Sequence, residues 1–456
     1  MVGVFAGLIF SGAYEPLGWW FLAPISFAIL FKRLQKTAHP IRTVFLFALI
    51  SQGLVLHWSG KYVGFIPWAL LALLQSLFFL VPAFIFMRTR NIWLFIAALL
   101  VIDEMRARFP FGGFGWTRIA FSQADAPFIH LVAIGGVALL SLWVLLIAFL
   151  LTQIRIRNFF LLLLAIMIPL ALSNPGHAKE GLNIAGIQGN TPKVGLSFND
   201  RAQAVFELHL RQTYKINRKI DLIVWPENAS DIDPYLTPGI KEKINTVMKA
   251  KGAPLLLGAV LRSSGKLENA SILFSENSTK STYIKKHLTP FGEYIPIRTL
   301  AEKVSSLAKT VTDFTPGKRY VVHTVKGIAL GPIICYEIID DELVREAAKR
   351  SSALIVQTNS ATFAGTAESA QQLNITKIRA VEHNRDILSV STIGLSALIT
   401  NNGEIVEKTR EEVPQTIYGK LHISNGQTLS DKLGGVGPIL VILAPLLLSF
   451  RKRKIQ

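Results

Sequence analysis

The chain has 456 residues, half of them hydrophobic, with a mean hydropathy of +0.40 and a formal net charge of +18. So apolar and so basic a composition excludes an ordinary soluble domain and argues against a nucleic-acid binder; it fits a membrane protein with basic loops, whose first partner is the lipid bilayer. A single cysteine excludes a disulfide framework.

Apolar segments crowd residues 1–173 and return once near the C-terminus. They predict eight spans: Val2–Ala13, Leu17–Phe31, Val44–Trp58, Ile66–Met87, Ile92–Val101, Ala126–Leu151, Phe159–Leu172 and Leu433–Phe450. Several fall short of the roughly 20 residues a bilayer needs and extend into their flanks. The N-terminal segment lacks a basic leader and a small-residue cleavage site, so it reads as a retained helix. Basic clusters follow the second, fourth, sixth and eighth spans: Lys32, Arg33, Lys36 and Arg42; Arg88 and Arg90; Arg155 and Arg157; Arg451, Lys452, Arg453 and Lys454. All four then share one face, which the positive-inside rule makes cytoplasmic. Both termini are expected there. Asp103, Glu104, Arg106 and Arg108 read as an interfacial charge network, and Arg118 as a candidate phosphate contact.

Three domains follow: helices 1–7 in residues 1–173, an extracytoplasmic domain in 174–432, and the eighth helix with its basic tail in 433–456. In the middle domain short β-type runs alternate with amphipathic stretches. Strands are predicted at Leu182–Gln188, Asp221–Trp225, Pro254–Val260, Ser271–Phe274, Ser281–Lys286, Tyr320–Val325, Ile328–Cys335, Ala353–Thr358, Ile387–Ile393 and Ser396–Thr400. Helices are predicted near Ala202–Asn217, Glu342–Ser351 and Ala367–Asn384. The fold class is therefore a membrane α-helical bundle joined to an α/β sandwich.

Cys335 ends the run Ile328–Cys335, at a strand-to-helix turn where nucleophiles are commonly held. A lone cysteine in an apolar run is more often a small buried hydrophobe. Outside the cytoplasm, with no disulfide partner, a functional thiol is the stronger reading. Glu227 follows Trp225-Pro226 at the end of a strand; in an apolar surround its pKa rises and it can serve as a general base, although alone it reads as a solvated loop residue. Lys285 ends another strand, with Lys286 on the opposite face, so only one ammonium points inward to steady an oxyanion and a thiolate. The Tyr336 backbone N–H offers a second oxyanion donor. His57, His287 and His383 lack metal-ligand spacing, and no metal or cofactor is expected.

Trp225-Pro226-Glu227, Tyr283-Ile-Lys285-Lys-His-Leu288 and Ile334-Cys335-Tyr336-Glu337 resemble the three signatures of the nitrilase (carbon–nitrogen hydrolase) superfamily, in the same order. The longer run His287–Pro296, the membrane segment Gly113–Gln123 and Ile187–Asn190 resemble the apolipoprotein N-acyltransferase family across essentially the whole chain. The resemblance implies an α-β-β-α sandwich and a triad of Glu227 as base, Lys285 and the nucleophile Cys335. It implies Glu293 and Glu337 as accessory acids, Tyr336 as the aromatic after the nucleophile, and Asn359 in the pocket. Asn359-Ser-Ala-Thr-Phe363 departs from the family's Asn-Asp-(Ala/Thr)-Trp-Phe, which puts the pocket near Asn359 in doubt. The stretch from Ser369 to Arg385 suits an actinobacterial-type version, and Phe363 and the loop 231–238 are candidate lids.

The implied activity moves a fatty acyl chain from a phospholipid to the α-amine of diacylglyceryl-cysteine in apolipoproteins, through a Cys335 thioester and ping-pong kinetics. Partners would be the phospholipid donor, diacylglyceryl-modified apolipoproteins and the bilayer, with no nucleic acid and the chain a monomer. The site would be the bacterial cytoplasmic (inner) membrane. The alternatives are a membrane-anchored extracytoplasmic amidase or nitrilase using the same triad, and a lipid or lipoprotein carrier with an inert domain.

Overall fold

The computed structural model describes residues 1–61, 63–153, 156–172, 176, 180–195, 203–263, 265–275, 278–304, 306–309 and 311–451. Arg155, Ser173, Ala202, Lys452, Arg453 and Lys454 lie outside the described residues. The chain divides into two compact units, Met1–Asn174 with Thr428–Gln456, and Pro175–Gln427.

The first unit opens with α1 (Val2–Ser11), α2 (Leu22–Lys36), α3 (Pro40–Val55), α4 (Phe65–Leu77), α5 (Leu80–Thr89), α6 (Ile92–Arg106), α7 (Val132–Leu151) and α8 (Ile156–Leu170). Glycines let α1 approach α3 closely: a Cβ at Gly3 would stand 2.3 Å from the Thr43 carbonyl oxygen, and one at Gly7 2.6 Å from that of Phe47. The predicted second span moves to Leu22–Lys36, because Pro16 and Gly18 hold the preceding stretch in turns. The fourth divides at Phe78–Phe79. Pro82 lacks the N–H for a helical bond to Phe78 and its ring crowds that carbonyl. In α7, Gly135 and Gly136 leave helical geometry, Gly136 at φ 67°. Among the described residues two stretches, Phe65–Thr89 and Ile129–Leu151, are long and apolar enough to cross a membrane by length and composition.

The charged end of α6 pairs with itself and its surroundings. Arg106 meets Asp103 at 2.6 Å and donates to Thr117 Oγ1 at 2.9 Å and Gln75 Oε1 at 3.1 Å. Arg108 meets Glu104 at 2.8 Å. Arg118, read from sequence as a phosphate contact, is instead buried and bonded to Glu104. Its charge is answered within the protein. Removing one member of such a buried cluster costs about 3–5 kcal/mol.

The second unit holds β1 (Gly181–Gln188), α9 (Ala204–Tyr214), β2 (Leu222–Val224), α10 (Ile240–Lys251), β3 (Leu255–Ser263), β4 (Lys266–Ser275), β5 (Ser278–Ile284), α11 (Arg298–Val304), β6 (His323–Val325) and β7 (Ile328–Ile334). It continues with α12 (Asp341–Arg350), β8 (Ala353–Thr358), α13 (Glu368–His383), β9 (Ile387–Ser391), β10 (Ala397–Ile399), β11 (Ile405–Lys408) and β12 (Gln415–His422). After it α14 (Leu429–Leu433) and α15 (Val436–Arg451) return to the first unit, where α15 packs on α6 and α7.

Two six-stranded sheets run in the orders β12-β1-β2-β3-β4-β5 and β11-β10-β9-β8-β7-β6. At the centre of each, three strands are parallel: β1, β2 and β3, and β7, β8 and β9. Alternation along the strands sends one set of side chains between the sheets, where Ile184, Leu222 and Leu256 meet Leu330, Ile355 and Leu388. The other set of the first sheet, including Ala185, Ile223 and Leu255, packs on Phe206 and Leu210 of α9 and Ile244 and Val247 of α10. Helices α12 and α13 cover the second sheet. The result is the α-β-β-α sandwich that the sequence motifs implied.

Candidate active site

Both sheets deliver their chemistry where parallel strands end, the customary position for a site in α/β folds. After β2, Trp225 is fully buried: its N–H reaches Leu256 O at 2.8 Å, its indole N–H reaches Thr213 Oγ1 at 2.9 Å, and its carbonyl accepts from Gln357 Nε2 of β8 at 2.6 Å. Pro226 turns the chain, and the close pass of β3 needs a glycine, since a Cβ on Gly258 would stand 2.1 Å from Pro226 O. Glu227 is thereby fixed with its side chain inside.

Lys285 follows β5 rather than ending it, yet its N–H still bonds to Asn269 O at 2.8 Å. Its side chain is 1% exposed. Nζ stands 2.8 Å from Glu293 Oε2, 3.3 Å from Thr289 Oγ1 and 3.4 Å from Glu227 Oε1. Asn269 closes the group, donating Nδ2 to Glu227 Oε1 at 2.8 Å and to Glu293 Oε1 at 2.7 Å. One ammonium and one amide thus separate two buried carboxylates that would otherwise repel.

Cys335 begins a short 3₁₀ turn, Cys335–Ile339, with φ at 49°. Left-handed backbone is costly for any residue with a Cβ and is held here by its surroundings. The holding group is Glu337. Its Oε2 accepts from Ile334 N at 2.8 Å, and its Oε1 accepts from Tyr283 Oη and Lys286 N at 2.7 Å and from His287 N at 3.1 Å. One fully buried carboxylate ties the thiol's turn to the segment carrying Lys285. Tyr336 is buried edge-on to His287, with ring centres 5.3 Å apart, and His287 in turn meets Asp340 at 2.8 Å.

The electrostatics follow from burial. Desolvation raises the Glu227 carboxyl above its ordinary value; Lys285 opposes this, Glu293 adds to it, and the Asn269 hydrogen bond and the Cys335 thiol favour the charged form. The thiol is pushed well up by burial and by the Glu227 charge, against Lys285. Burial acts to lower Lys285, but Glu293 and Glu227 outweigh it and keep the ammonium charged. Glu337 is raised by burial and restrained by the Ile334 amide. The group thus sets a thiol whose pKa is raised beside a carboxyl placed to take its proton.

Of the residues singled out in the sequence, Glu227, Lys285, Cys335 and Glu293 come together, and Glu337 and Tyr336 pack behind them. Asn359 serves the turn after β8 instead: its Oδ1 accepts from Ala361 N at 3.1 Å and Thr392 Oγ1 at 2.8 Å. Among the described residues no group of three or more metal-ligating side chains forms a cation site.

Comparison with known proteins bears on this arrangement directly. Residues 6–150 match the apolipoprotein N-acyltransferase N-terminal domain, and residues 184–430 match the carbon-nitrogen hydrolase family. A Mycolicibacterium smegmatis protein named apolipoprotein N-acyltransferase is 31% identical, over 96% of this chain and 82% of its own. The chain belongs to the apolipoprotein N-acyltransferase family. A relative of the same name from Azotobacter vinelandii is 27% identical over 94% of this chain and 90% of its own. A solved carbon–nitrogen hydrolase superfamily protein from Xanthomonas campestris shares 17% identity and a TM-score of 0.41, over 53% of this chain and 91% of that one.

In this member of the N-acyltransferase family, several residues at the site escaped the sequence reading. Asn269 is one polar side chain in the apolar run of β4, and that interruption is the signal it left. Thr289 lies inside the His287–Pro296 motif. Gln372 of α13 places its amide nitrogen 3.8 Å from Cys335 Sγ. Four residues before it, Glu368 is buried with its charge felt by the thiol.

Proposed function

We propose that this chain takes a fatty acyl group from a phospholipid onto Cys335 and passes it to the α-amine of a diacylglyceryl-cysteine at the start of an apolipoprotein. The observation that carries the reading is the Lys285 ammonium held between Glu227 and Glu293, all three with charges that act on the Cys335 thiol. Glu227 is the base, Lys285 the charge partner and Cys335 the nucleophile. Glu227 takes the thiol proton as sulfur attacks the ester carbonyl. Lys285 and the Tyr336 backbone N–H stabilise the oxyanion. The proton passes to the departing lysophospholipid, leaving a thioester. The amine nitrogen then attacks the thioester carbonyl; the C–N bond forms, the C–S bond breaks, and Cys335 regains its proton through Glu227. No cofactor takes part.

Glu293 steadies Lys285 and Glu337 holds the turn, while Asn359 shapes the loop that borders the pocket. The raised carboxyl of Glu227 supports this assignment, since a base nearer neutrality transfers protons more effectively.

The membrane arrangement belongs to the same proposal. Eight segments cross the bacterial cytoplasmic membrane, both termini face the cytoplasm, and residues 174–432 stand outside as the catalytic domain of a monomer. The one-sided basic clusters support this orientation. Both substrates are lipid-anchored, so an anchored site meets them at high effective concentration. A soluble amide needs no such anchor, and no specific observation favours the amidase reading.

Intact-mass measurement of the protein incubated with phospholipid, beside Cys335→Ala, tests the reading. A fatty-acyl increment is expected on the parent chain alone, removed by an apolipoprotein-like amine. A folded protein that never acquires the increment across several lipids would falsify it.

A further inference from the structure

The thiol has a second buried carboxyl beside it that the triad does not use. Glu368 opens α13 at 3% exposure, and no hydrogen-bond partner reaches its Oε2. It lies one helical turn before Gln372, whose amide stands 3.8 Å from Cys335 Sγ, so both residues occupy the face of α13 turned towards the thiol. Ser360 is likewise 3% exposed, and its hydroxyl lies against the Glu368 carboxyl and favours its charged form. Ser360 lines a narrow cleft with Phe363, Thr366, Ser369, Gly394 and Glu411. A Cβ on Gly394 would stand 2.8 Å from Ser360 Oγ, so any side chain at that position would crowd the hydroxyl. Buried polar atoms are seldom left without partners, and the Glu368 Oε2, next to the Ser360 that lines this cleft, calls for a ligand with donors.

The charge around them states which ligand. The groups whose charge acts on Glu368 are Glu411, in the loop before β12, and Glu227; both are acidic. Cys335 faces it from the 3₁₀ turn. An unbound anion gains nothing here, whereas a primary ammonium supplies donors for Ser360 and Glu368 and one positive charge among carboxylates.

We propose that Glu368 and Ser360 form the subsite that receives the primary amine of the acyl acceptor, separate from the Glu227 that activates the thiol. This rests on the acyl-transfer reading above. The docking ammonium drives the proton of the Glu368 carboxyl out to solvent, and the carboxylate so formed takes one proton from the ammonium. The neutral amine's lone pair then forms the C–N bond as the C–S pair returns to Cys335 sulfur. The second amine proton reaches that sulfur through Glu227, and Glu368 keeps the first. Burial holds the empty Glu368 carboxyl up to about 8, and an arriving cation lowers it, so the charge appears when the amine arrives.

The test loads the full-length parent and Glu368→Gln with acyl chain from phospholipid vesicles and follows thioester decay by intact mass. One arm adds a synthetic diacylglyceryl-cysteine peptide with a free α-amine; the other adds hydroxylamine, a small nucleophile that is largely uncharged at neutral pH. Glu368→Gln is expected to slow transfer to the peptide at least tenfold and to hydroxylamine less than twofold, with Glu368→Asp intermediate. Equal losses in both arms, or none, would overturn the subsite. If neither variant accumulates thioester while the parent does, Glu368 serves the first half-reaction and the assignment to the acceptor is wrong. A parent chain that forms no thioester at all removes the acyl-transfer reading, and the subsite with it.

Discussion

Glu337 accepts a 2.7 Å hydrogen bond from the Tyr283 hydroxyl, joining the strand before Lys285 to the turn that carries Cys335. The same carboxylate takes three backbone N–H groups, from Ile334, Lys286 and His287. Two segments that must be held in register for thiol chemistry are therefore held by one acceptor-only group. A glutamine keeps the shape but turns an NH₂ towards donors.

Glu337→Gln is accordingly expected to destabilise the domain by about 2–3 kcal/mol, the cost of unsatisfied buried donors, and to cut acyl-enzyme formation at least a hundredfold. Tyr283→Phe removes one donor of four and should cost about 1–2 kcal/mol with a smaller loss of rate. Denaturant unfolding and acyl-enzyme mass report the two effects. If Glu337→Gln matched the parent in both, the carboxylate would not be what fixes the turn.

Lys285 is the counter-charge to two buried carboxylates, which gives its removal a pH signature. In Lys285→Met, Glu227 loses the cation that opposed its raised pKa and rises further. A carboxyl raised above its unfolded value contributes stability that is present below that value and is lost as pH rises through the folded one. The variant's deficit should therefore approach about 3–5 kcal/mol at pH 8 and shrink towards pH 5, where Glu227 takes a proton. Acyl transfer should fall about 10²–10³-fold. Unfolding midpoints of both proteins across that range decide the matter, and a deficit independent of pH would contradict the pairing.

Much of this was legible in the sequence because the chemistry is carried by short contiguous motifs. Trp225-Pro226-Glu227 and Ile334-Cys335-Tyr336-Glu337 each place a functional group at the end of a strand whose alternation can be read directly. The partners were harder to see. Asn269 and Glu368 are brought to the site by sheet pairing and by a helix face, and neither spacing shows in the chain. Strand β11, Ile405–Lys408, was missed because its mostly exposed side chains do not alternate. Helix α10 could have been read, since Ile240, Ile244, Val247 and Met248 fall on one face. The break between α4 and α5 was also written in the sequence, as Pro82.

The left-handed backbone at Cys335 separates two variants that chemistry alone treats alike. Both Cys335→Ala and Cys335→Gly lose the proposed nucleophile. At φ 49° alanine bears the steric cost of about 1–2 kcal/mol, while glycine does not. Glycine gives back about 0.4–1 kcal/mol through its freer unfolded chain. Cys335→Gly should thus be the more stable by about 0.5–1 kcal/mol, measured by denaturant midpoint. An alanine variant equal to or above the glycine one would mean the turn relaxes once sulfur is gone.

Glu368 makes the domain's own stability a reporter of its environment, with no substrate present. Its carboxyl is held up to about 8, against an ordinary value of 4.5, because burial penalises the charged form. The native state therefore binds a proton that the unfolded chain releases between those values. By linkage, the resulting stability is intact below about pH 4.5 and is lost as pH rises to about 8, by at most about 5 kcal/mol. Glu368→Gln cannot ionise and lacks that slope. The two proteins should differ least near pH 5, and the variant should be the more stable at pH 8.5, as unfolding midpoints across the range would report. Parallel curves would show that the carboxyl is already charged or solvated. A primary amine added at pH 8.5 should recover stability in the parent alone, because only there does a buried anion await a cation.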